Sequence, residues 1–288
     1  MKPPPFLHAT PVTVDAALDL LAEHGDAARV LAGGQSLMPL LVMRMARPAV
    51  LLDLNRCAGL SHIILADGVL RIGAMARQID VQRAPEVAQA APLLAQALHF
   101  AGPRTVRNRG TFGGSMAHAD PSAEAPAAAL CLDAVMVLAS RRGQRQVTAR
   151  DFFVDALVTA IAADEMLVEV RIPATSGRTA FTEAGVRQAD LAMAGIAVDL
   201  TTDDGRITRI RIAAIGAANR PTRLAGAEAA LLGARPTPRL LRDAARAALA
   251  DADAPSDLIA QAPHRLSVLE GLLERAVLDA LAPDRIAA

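Results

Sequence analysis

Two glycine pairs with hydroxyl neighbours are the residues of this sequence best suited to chemistry. The first lies in Leu31-Ala32-Gly33-Gly34-Gln35-Ser36-Leu37-Met38-Pro39. Adjacent glycines let the backbone turn tightly and converge several N–H groups on one point, a nest for an anion. The Ser36 hydroxyl and the start of a following helix would complete it. The second pair lies in Thr105-Val106-Arg107-Asn108-Arg109-Gly110-Thr111-Phe112-Gly113-Gly114-Ser115, which continues through His118, Asp120 and Pro121 to Glu124. A Gly-Gly pair by itself is more often an ordinary tight turn. Two such loops in one domain can embrace a single extended cofactor from two sides, and a dinucleotide pyrophosphate suits them without a lysine. A long, polar, weakly periodic run inside a compact domain is usually functional. Neither loop matches G-x-G-x-x-G or a phosphate loop ending in G-K-S/T, which argues against a Rossmann site and against an NTPase.

Other reactive side chains carry less. His8, His24, His62, His99, His118 and His264 are scattered without metal-ligand spacing. His118, inside the second loop, could bond a cofactor. Asp120 before Pro121 reads as a turn element. Ser115 lacks the G-x-S-x-G elbow of a nucleophile. Cys57 and Cys131 are the only cysteines, too few for an iron–sulfur cluster held by four thiolates. No residue stands out as a catalytic side chain or a metal ligand.

The elements that must position these loops are legible in outline. Phe6–His8 reads as a short strand. Thr13 is a helix N-cap, with Val14, Leu18 and Leu21 on one face and Gly25 as the stop. Arg29–Ala32 is a strand running directly into Gly33-Gly34, and a helical stretch reaches Met45. Ala49–Leu54 is a further strand. Ile63–Leu65 and Val69–Ile72 form a hairpin about Asp67-Gly68. Ile79–Phe100 has helical spacing broken by Pro85 and Pro92, and Gly102–Pro126 is Gly-rich and weakly periodic. Val135–Leu138 and Arg145–Thr148 make a second hairpin, and Met166–Ile172 a strand closed by Pro173. Ala174–Arg178 is a small, polar break and the candidate domain boundary. Ala192–Leu200 and Arg206–Ile215 are strands about Asp203-Asp204-Gly205, and the pattern is helical from Leu224 onward. The fold class is therefore α+β in both halves.

The 288 residues suffice for two domains. Formal net charge is zero, which argues against a footprint for nucleic acid or an anionic membrane. The first ten residues have no signal-peptide pattern, and no segment nears the roughly 18 uninterrupted apolar residues of a membrane span. The expected compartment is the cytoplasm.

The segments LAGGQSLMP and VRNRGTFGGSMAHADPSAE, in this order and separation, resemble the FAD-binding (medium) subunit of the xanthine dehydrogenase and carbon monoxide dehydrogenase family of molybdenum hydroxylases. Asp151-Phe152-Phe153 and the run Asp164–Pro173 extend the resemblance to most of the chain. It implies a two-subdomain FAD-binding domain of the vanillyl-alcohol-oxidase (PCMH) type over residues 1–175, with subdomains of about 1–57 and 58–175. Residues 176–288 would form a C-terminal domain like that of the CO dehydrogenase flavoprotein, with a three-stranded antiparallel sheet and a helical bundle. By the same resemblance Ala32, Gly33, Gly34, Gln35 and Ser36 hold the FAD phosphates through backbone N–H groups. Thr111, Phe112, Gly113, Gly114 and Ser115 form a second clamp near the isoalloxazine. Glu124 stands where the family usually has Asp and bonds a cofactor hydroxyl. Leu167 offers a backbone contact, and Arg29, at an often basic position, touches either the phosphates or only solvent.

Three positions depart from the family. Leu191 replaces an aromatic residue, often Tyr, that can cover one flavin face; Glu183 replaces a frequent Lys; Phe112 replaces a more usual Ile. The implied partners are a large molybdopterin subunit and a small subunit with 2Fe–2S clusters, assembled as a dimer of heterotrimers. The implied function is to pass electrons from those clusters through FAD to an external acceptor. A stand-alone FAD-dependent oxidase and a scaffold that has lost FAD are the alternatives.

Overall fold

A computed structural model describes residues 2–187 and 190–282. The chain opens with β1 (Leu7–Ala9), α1 (Val14–His24), β2 (Ala28–Leu31), α2 (Leu37–Val42) and β3 (Val50–Asp53). Both β1 and β2 pair in parallel with β3, in the order β1-β3-β2. Parallel neighbours need crossover connections, which the α1 and α2 segments supply. The Thr13 hydroxyl accepts the Ala16 N–H at 3.2 Å to start α1, Leu18 and Leu21 bury its apolar face, and Gly25 ends it at φ 48°.

A hairpin of β4 (Ile63–Ala66) and β5 (Val69–Gly73) follows, with Asp67 and Gly68 both left-handed at φ 51° and 73°. This is the backbone that a two-residue hairpin turn requires. Six helices come next: α3 (Gln78–Arg83), α4 (Pro85–Ala90), α5 (Pro92–Phe100), α6 (Arg104–Arg109), α7 (Phe112–His118) and α8 (Glu124–Cys131). Pro85 and Pro92 begin α4 and α5, where a missing N–H costs nothing. The weakly periodic stretch from Gly102 to Pro126 is thus largely helical. The chain then forms β6 (Val135–Ser140), β7 (Gly143–Thr148), α9 (Ala149–Phe152) and a small hairpin of β8 (Phe153–Asp155) and β9 (Val158–Thr159). Finally β10 (Met166–Pro173) inserts between β5 and β6, giving an antiparallel sheet in the order β4-β5-β10-β6-β7.

The last part contains β11 (Arg178–Gly185), β12 (Ala192–Asp203), β13 (Arg206–Ile215), β14 (Thr222–Arg223), α10 (Ala225–Leu231), α11 (Pro238–Ala248) and α12 (Ala262–Leu281). Its antiparallel sheet runs β11-β12-β13-β14. Three long strands match the expectation, and β14 adds a two-residue edge on β13. The apolar face of α12, with Leu269, Leu273, Ala276, Val277 and Ala280, is buried against this sheet's core.

The last sheet is fastened to the body that carries the loops. The Cys131 thiol of α8 contacts the carbonyls of Ala197 and Arg211. Asp133 bonds Arg211 at 2.6 Å and Arg223 at 2.8 Å. Asp199 is fully buried between Arg209, Arg211 and Thr175; burial would raise its carboxyl, but the two guanidinium groups hold it below the usual range. Among the described residues no helix is long and apolar enough to cross a membrane.

Candidate functional site

β2 and β3 run in parallel and end side by side, with Leu31 opposite Asp53. Crevices at the C-terminal ends of parallel strands are common ligand sites. From this edge the chain enters Ala32-Gly33-Gly34, with Gly34 left-handed at φ 74°.

Gly33 lies directly against the second loop. A Cβ there would sit 2.5 Å from Arg109 O, 2.7 Å from Gly110 Cα and 2.9 Å from Thr111 N. The approach is backbone to backbone, and only glycine permits it. Gly114 comes near the first loop as well, because its own Cβ would lie 3.4 Å from that of Ala32. The two loops, about 80 residues apart in the chain, therefore meet at one place.

A set of polar braces holds them there. Asn55 Nδ2 donates to Ala32 O at 3.0 Å, and Asn55 Oδ1 accepts from Arg77 Nη2 at 2.7 Å. Arg77 Nη1 donates to Arg109 O, and the Gln78 N–H donates to Gly110 O at 3.0 Å. Asp53 Oδ1 fixes Asn55 by accepting its backbone N–H at 2.9 Å and its amide at 2.6 Å. Burial and the neighbouring Arg109 lower the Arg77 pKa. Nothing in the sequence alone marks Asn55 and Arg77 as site residues. The only local signal is Asp53-Leu54-Asn55 at a strand end, where Asp favours a tight turn.

The loops differ in what they can offer a ligand. Among the described residues no backbone acceptor takes the N–H groups of Gly33, Gly34, Gln35 or Ser36, and the Ser36 hydroxyl makes no capping bond. This is the free nest that the sequence suggests. The second loop corrects that expectation. Phe112 N–H donates to Ala76 O at 2.8 Å, Gly113 N–H to Ala74 O at 3.0 Å, Gly114 N–H to Thr111 Oγ1 at 3.1 Å and Ser115 N–H to Thr111 O at 3.1 Å. Its donors are turned into the fold, so what remains for a ligand is the half-buried surface of Gly114 and Ser115. The Phe112 ring is fully buried in the core, and Gly113 packs on Ala74.

The remaining candidates are spread around this contact. Glu124 opens α8 and is buried; burial raises its carboxyl to about 8, Glu183 and Asp120 add to the rise, and its own backbone N–H and Arg107 oppose it. Raised in this way, the carboxyl favours its neutral form, which can both donate to and accept from a hydroxyl. His118 is half-buried in the last turn of α7, which Ala119 ends in a left-handed conformation. Leu167 is buried in β10, beside a bulge at which the strand shifts register on β6; Val168 O there accepts the Ala74 N–H at 3.0 Å. Arg29 is exposed on β2, on the opposite strand face from Val30 and Ala32. The structure thus brings Ala32–Gly34 and Arg109–Gly114 into contact, and leaves Arg29 and Leu167 on separate strands.

A cleft of about 470 Å³ opens beyond α6, lined by His99, Phe100, Arg104, Arg107, Glu183 and Arg187, among others. Burial raises the Glu183 carboxyl to about 7. Leu191, at the position expected to be aromatic, is exposed. Gln188 and Ala189 of the same segment lie outside the described residues.

Known proteins match this architecture along nearly its whole length. The profile of the FAD binding domain in molybdopterin dehydrogenase matches residues 5–175. That of the CO dehydrogenase flavoprotein C-terminal domain matches residues 179–280. The 6-hydroxypseudooxynicotine dehydrogenase complex subunit alpha of Paenarthrobacter nicotinovorans is 37% identical over 98% of this chain and 96% of its own length. The carbon monoxide dehydrogenase medium chain of Hydrogenophaga pseudoflava is 35% identical over 96% and 97%. Among solved structures, carbon monoxide dehydrogenase from Hydrogenophaga pseudoflava superposes with a TM-score of 0.94 at 36% identity, covering 98% of this chain and 99% of that one. Quinoline 2-oxidoreductase from Pseudomonas putida 86 gives 0.93 at 35% identity, with 97% and 98% covered. The free nest of the first loop suits a pyrophosphate, and the chain belongs to the FAD-binding medium subunits of the molybdenum hydroxylases, oxidoreductases of the CO dehydrogenase type.

Proposed function

We propose that this chain is an electron-relay subunit, taking electrons from 2Fe–2S clusters of a partner and delivering them to an external acceptor. The observation that carries this reading is the backbone contact of Gly33 with Arg109–Thr111, which builds one cradle from two distant loops. When bound, FAD supplies a ring that takes up electrons singly and gives them up in pairs.

In this reading the N–H groups of Ala32, Gly33, Gly34, Gln35 and Ser36 hold the pyrophosphate, as the donor set of the first loop allows. Gly114 and Ser115, with His118, border the ring system from the other side, and Thr111, Phe112 and Gly113 hold that loop in place from within the fold. Glu124 bonds a cofactor hydroxyl through its neutral carboxyl, Leu167 contributes a backbone contact, and Arg29 adds positive charge at the rim. Residues 1–175 form the FAD-binding domain and 176–288 the C-terminal domain. Both cysteines are buried and far apart in sequence, so the clusters belong to a second subunit, and the molybdopterin to a third. A dimer of heterotrimers in the cytoplasm is the expected assembly.

Purification of the native complex through a tag on this chain tests the reading. Two further subunits should co-purify with molybdenum and iron, together with one FAD per copy of this chain. A lone yellow chain that oxidises a substrate by itself, or a lone colourless one, contradicts it.

A further inference from the structure

Two residues of the same cleft each carry a buried polar atom with no hydrogen-bond partner among the described residues: Arg107 Nε and Glu183 Oε2. Buried polar groups are nearly always bonded, so each such atom calls for an explanation. Here one orphan is a donor, the other is able to accept, and they line one cavity.

The Arg107 guanidinium is anchored. Arg107 Nη1 donates to His99 O at 3.4 Å, to Ala101 O at 3.3 Å and to Gly102 O, which fixes the guanidinium on the turn between α5 and α6. Glu183 projects from β11, with its stem packed so that a Cβ on Gly195 would lie 3.1 Å from it. Arg107 and Glu183 therefore line one cleft from two elements, the first with its guanidinium anchored, and the two do not bond each other. A ligand edge that carries an acceptor beside a donor would satisfy both.

A flavin ring has such an edge, an imide whose N–H is flanked by carbonyl oxygens. The cleft is also placed to receive it. Arg107 lines the cleft and Arg109 O touches Gly33, so α6 alone, a helix of about 9 Å, connects the cleft with the contact of the two loops. Glu124, opening α8, is close enough to Glu183 for the two carboxyls to influence each other. We propose that Arg107 Nε–H and the Glu183 carboxyl hold the imide edge of the flavin, the first donating to a ring carbonyl and the second accepting the ring N–H. This rests on the FAD reading above and assigns Glu183, which stands where relatives often carry Lys, a role of opposite polarity.

The test compares FAD with FAD methylated at the imide nitrogen. The full chain, freed of flavin, is titrated with each, and binding is read from flavin fluorescence. The wild-type chain should bind FAD about ten- to hundredfold more tightly than the methylated form, the range for loss of one charge-assisted hydrogen bond. In Glu183→Ala, which removes the acceptor and makes room for the methyl group, the two affinities should converge to within about threefold. Glu183→Gln keeps a neutral acceptor and should retain part of the preference. Equal binding of both flavins by the wild-type chain overturns the inference and leaves the FAD reading standing. Binding of neither flavin overturns both. Circular dichroism checks the variants, and the wild-type comparison decides even if Glu183→Ala does not fold.

Discussion

Replacing Gly33 with Ala perturbs the contact on which the FAD cradle depends. The added methyl would lie 2.5 Å from Arg109 O, 2.7 Å from Gly110 Cα and 2.9 Å from Thr111 N. All three are backbone atoms, so no change of rotamer relieves the clash. Ordinary contact begins at 3.4 Å, and the loops must part by roughly 1 Å, an overpacking that typically costs about 1–3 kcal/mol. Gly33 is not left-handed, so the backbone itself tolerates alanine and the effect is steric. On the proposed reading, displacing the first loop takes at least one of the donors Gly33 to Ser36 away from the pyrophosphate. One charge-assisted hydrogen bond is worth about 1.5–3 kcal/mol, which weakens FAD binding by about ten- to hundredfold. Calorimetric titration of flavin-free wild-type and Gly33→Ala chains measures the loss, with circular dichroism to establish that the variant is folded. A folded Gly33→Ala chain that binds FAD within about threefold of wild type would refute the reasoning.

The other predictions concern the braces, the buried carboxyls, a helix and the cofactor linkage. Arg77→Lys keeps a charge but loses the fork that spans Asn55 Oδ1 and Arg109 O, so FAD affinity should fall about tenfold in the same titration while the fold persists. Glu124, raised by burial to about 8 from 4.5, makes the folded chain bind more protons than the unfolded one between those values; stability of the flavin-free chain should therefore fall as pH rises through that window, by roughly 3–5 kcal/mol. Urea midpoints at the two ends of the window check this, and Glu124→Gln should make the profile shallower, leaving the part due to Glu183, which burial also raises. Gly271 lies in α12 with open space at its Cβ position, so Gly271→Ala should raise stability by about 0.5–1 kcal/mol in thermal unfolding and leave FAD binding unchanged. With no Tyr and both Cys buried, acid or heat should release all the flavin as intact FAD; flavin retained on the denatured chain would show a covalent link instead.

Much of the frame is legible because local chemistry agrees with the tertiary outcome. Thr13 caps α1 as its type and place imply, and Asp67-Gly68 and Asp204-Gly205 adopt the left-handed turns that their hairpins need. The first loop leaves a strand, and among the described residues no backbone acceptor takes the N–H groups of Gly33 to Ser36. The second reads poorly. Gly113, Gly114 and Pro126 depress helical propensity, yet α7 and α8 form because packing decides, with Gly113 on Ala74 and Met116 in the core. That packing also draws the loop's N–H groups inward, which glycine spacing alone does not disclose. β11 is not legible in the sequence because Arg178-Thr179-Ala180-Phe181-Thr182-Glu183-Ala184-Gly185 has little apolar alternation; only Ala180 to Thr182 are buried. With it goes the placement of Glu183 in the same cleft as Arg107. Asn55, Arg77 and Arg109 are polar residues from three separate segments, and only the folded chain brings them together.

The electron-relay reading stands most directly on one anaerobic experiment. The FAD-loaded chain is mixed with its iron–sulfur partner subunit, which has been reduced beforehand and freed of the reductant, and the visible flavin band is followed against a control with the oxidised partner. The band should bleach with the reduced partner alone, and the chain without a partner should bleach only when dithionite is added. A flavin that stays oxidised beside the reduced partner, although dithionite still bleaches it, would contradict the relay.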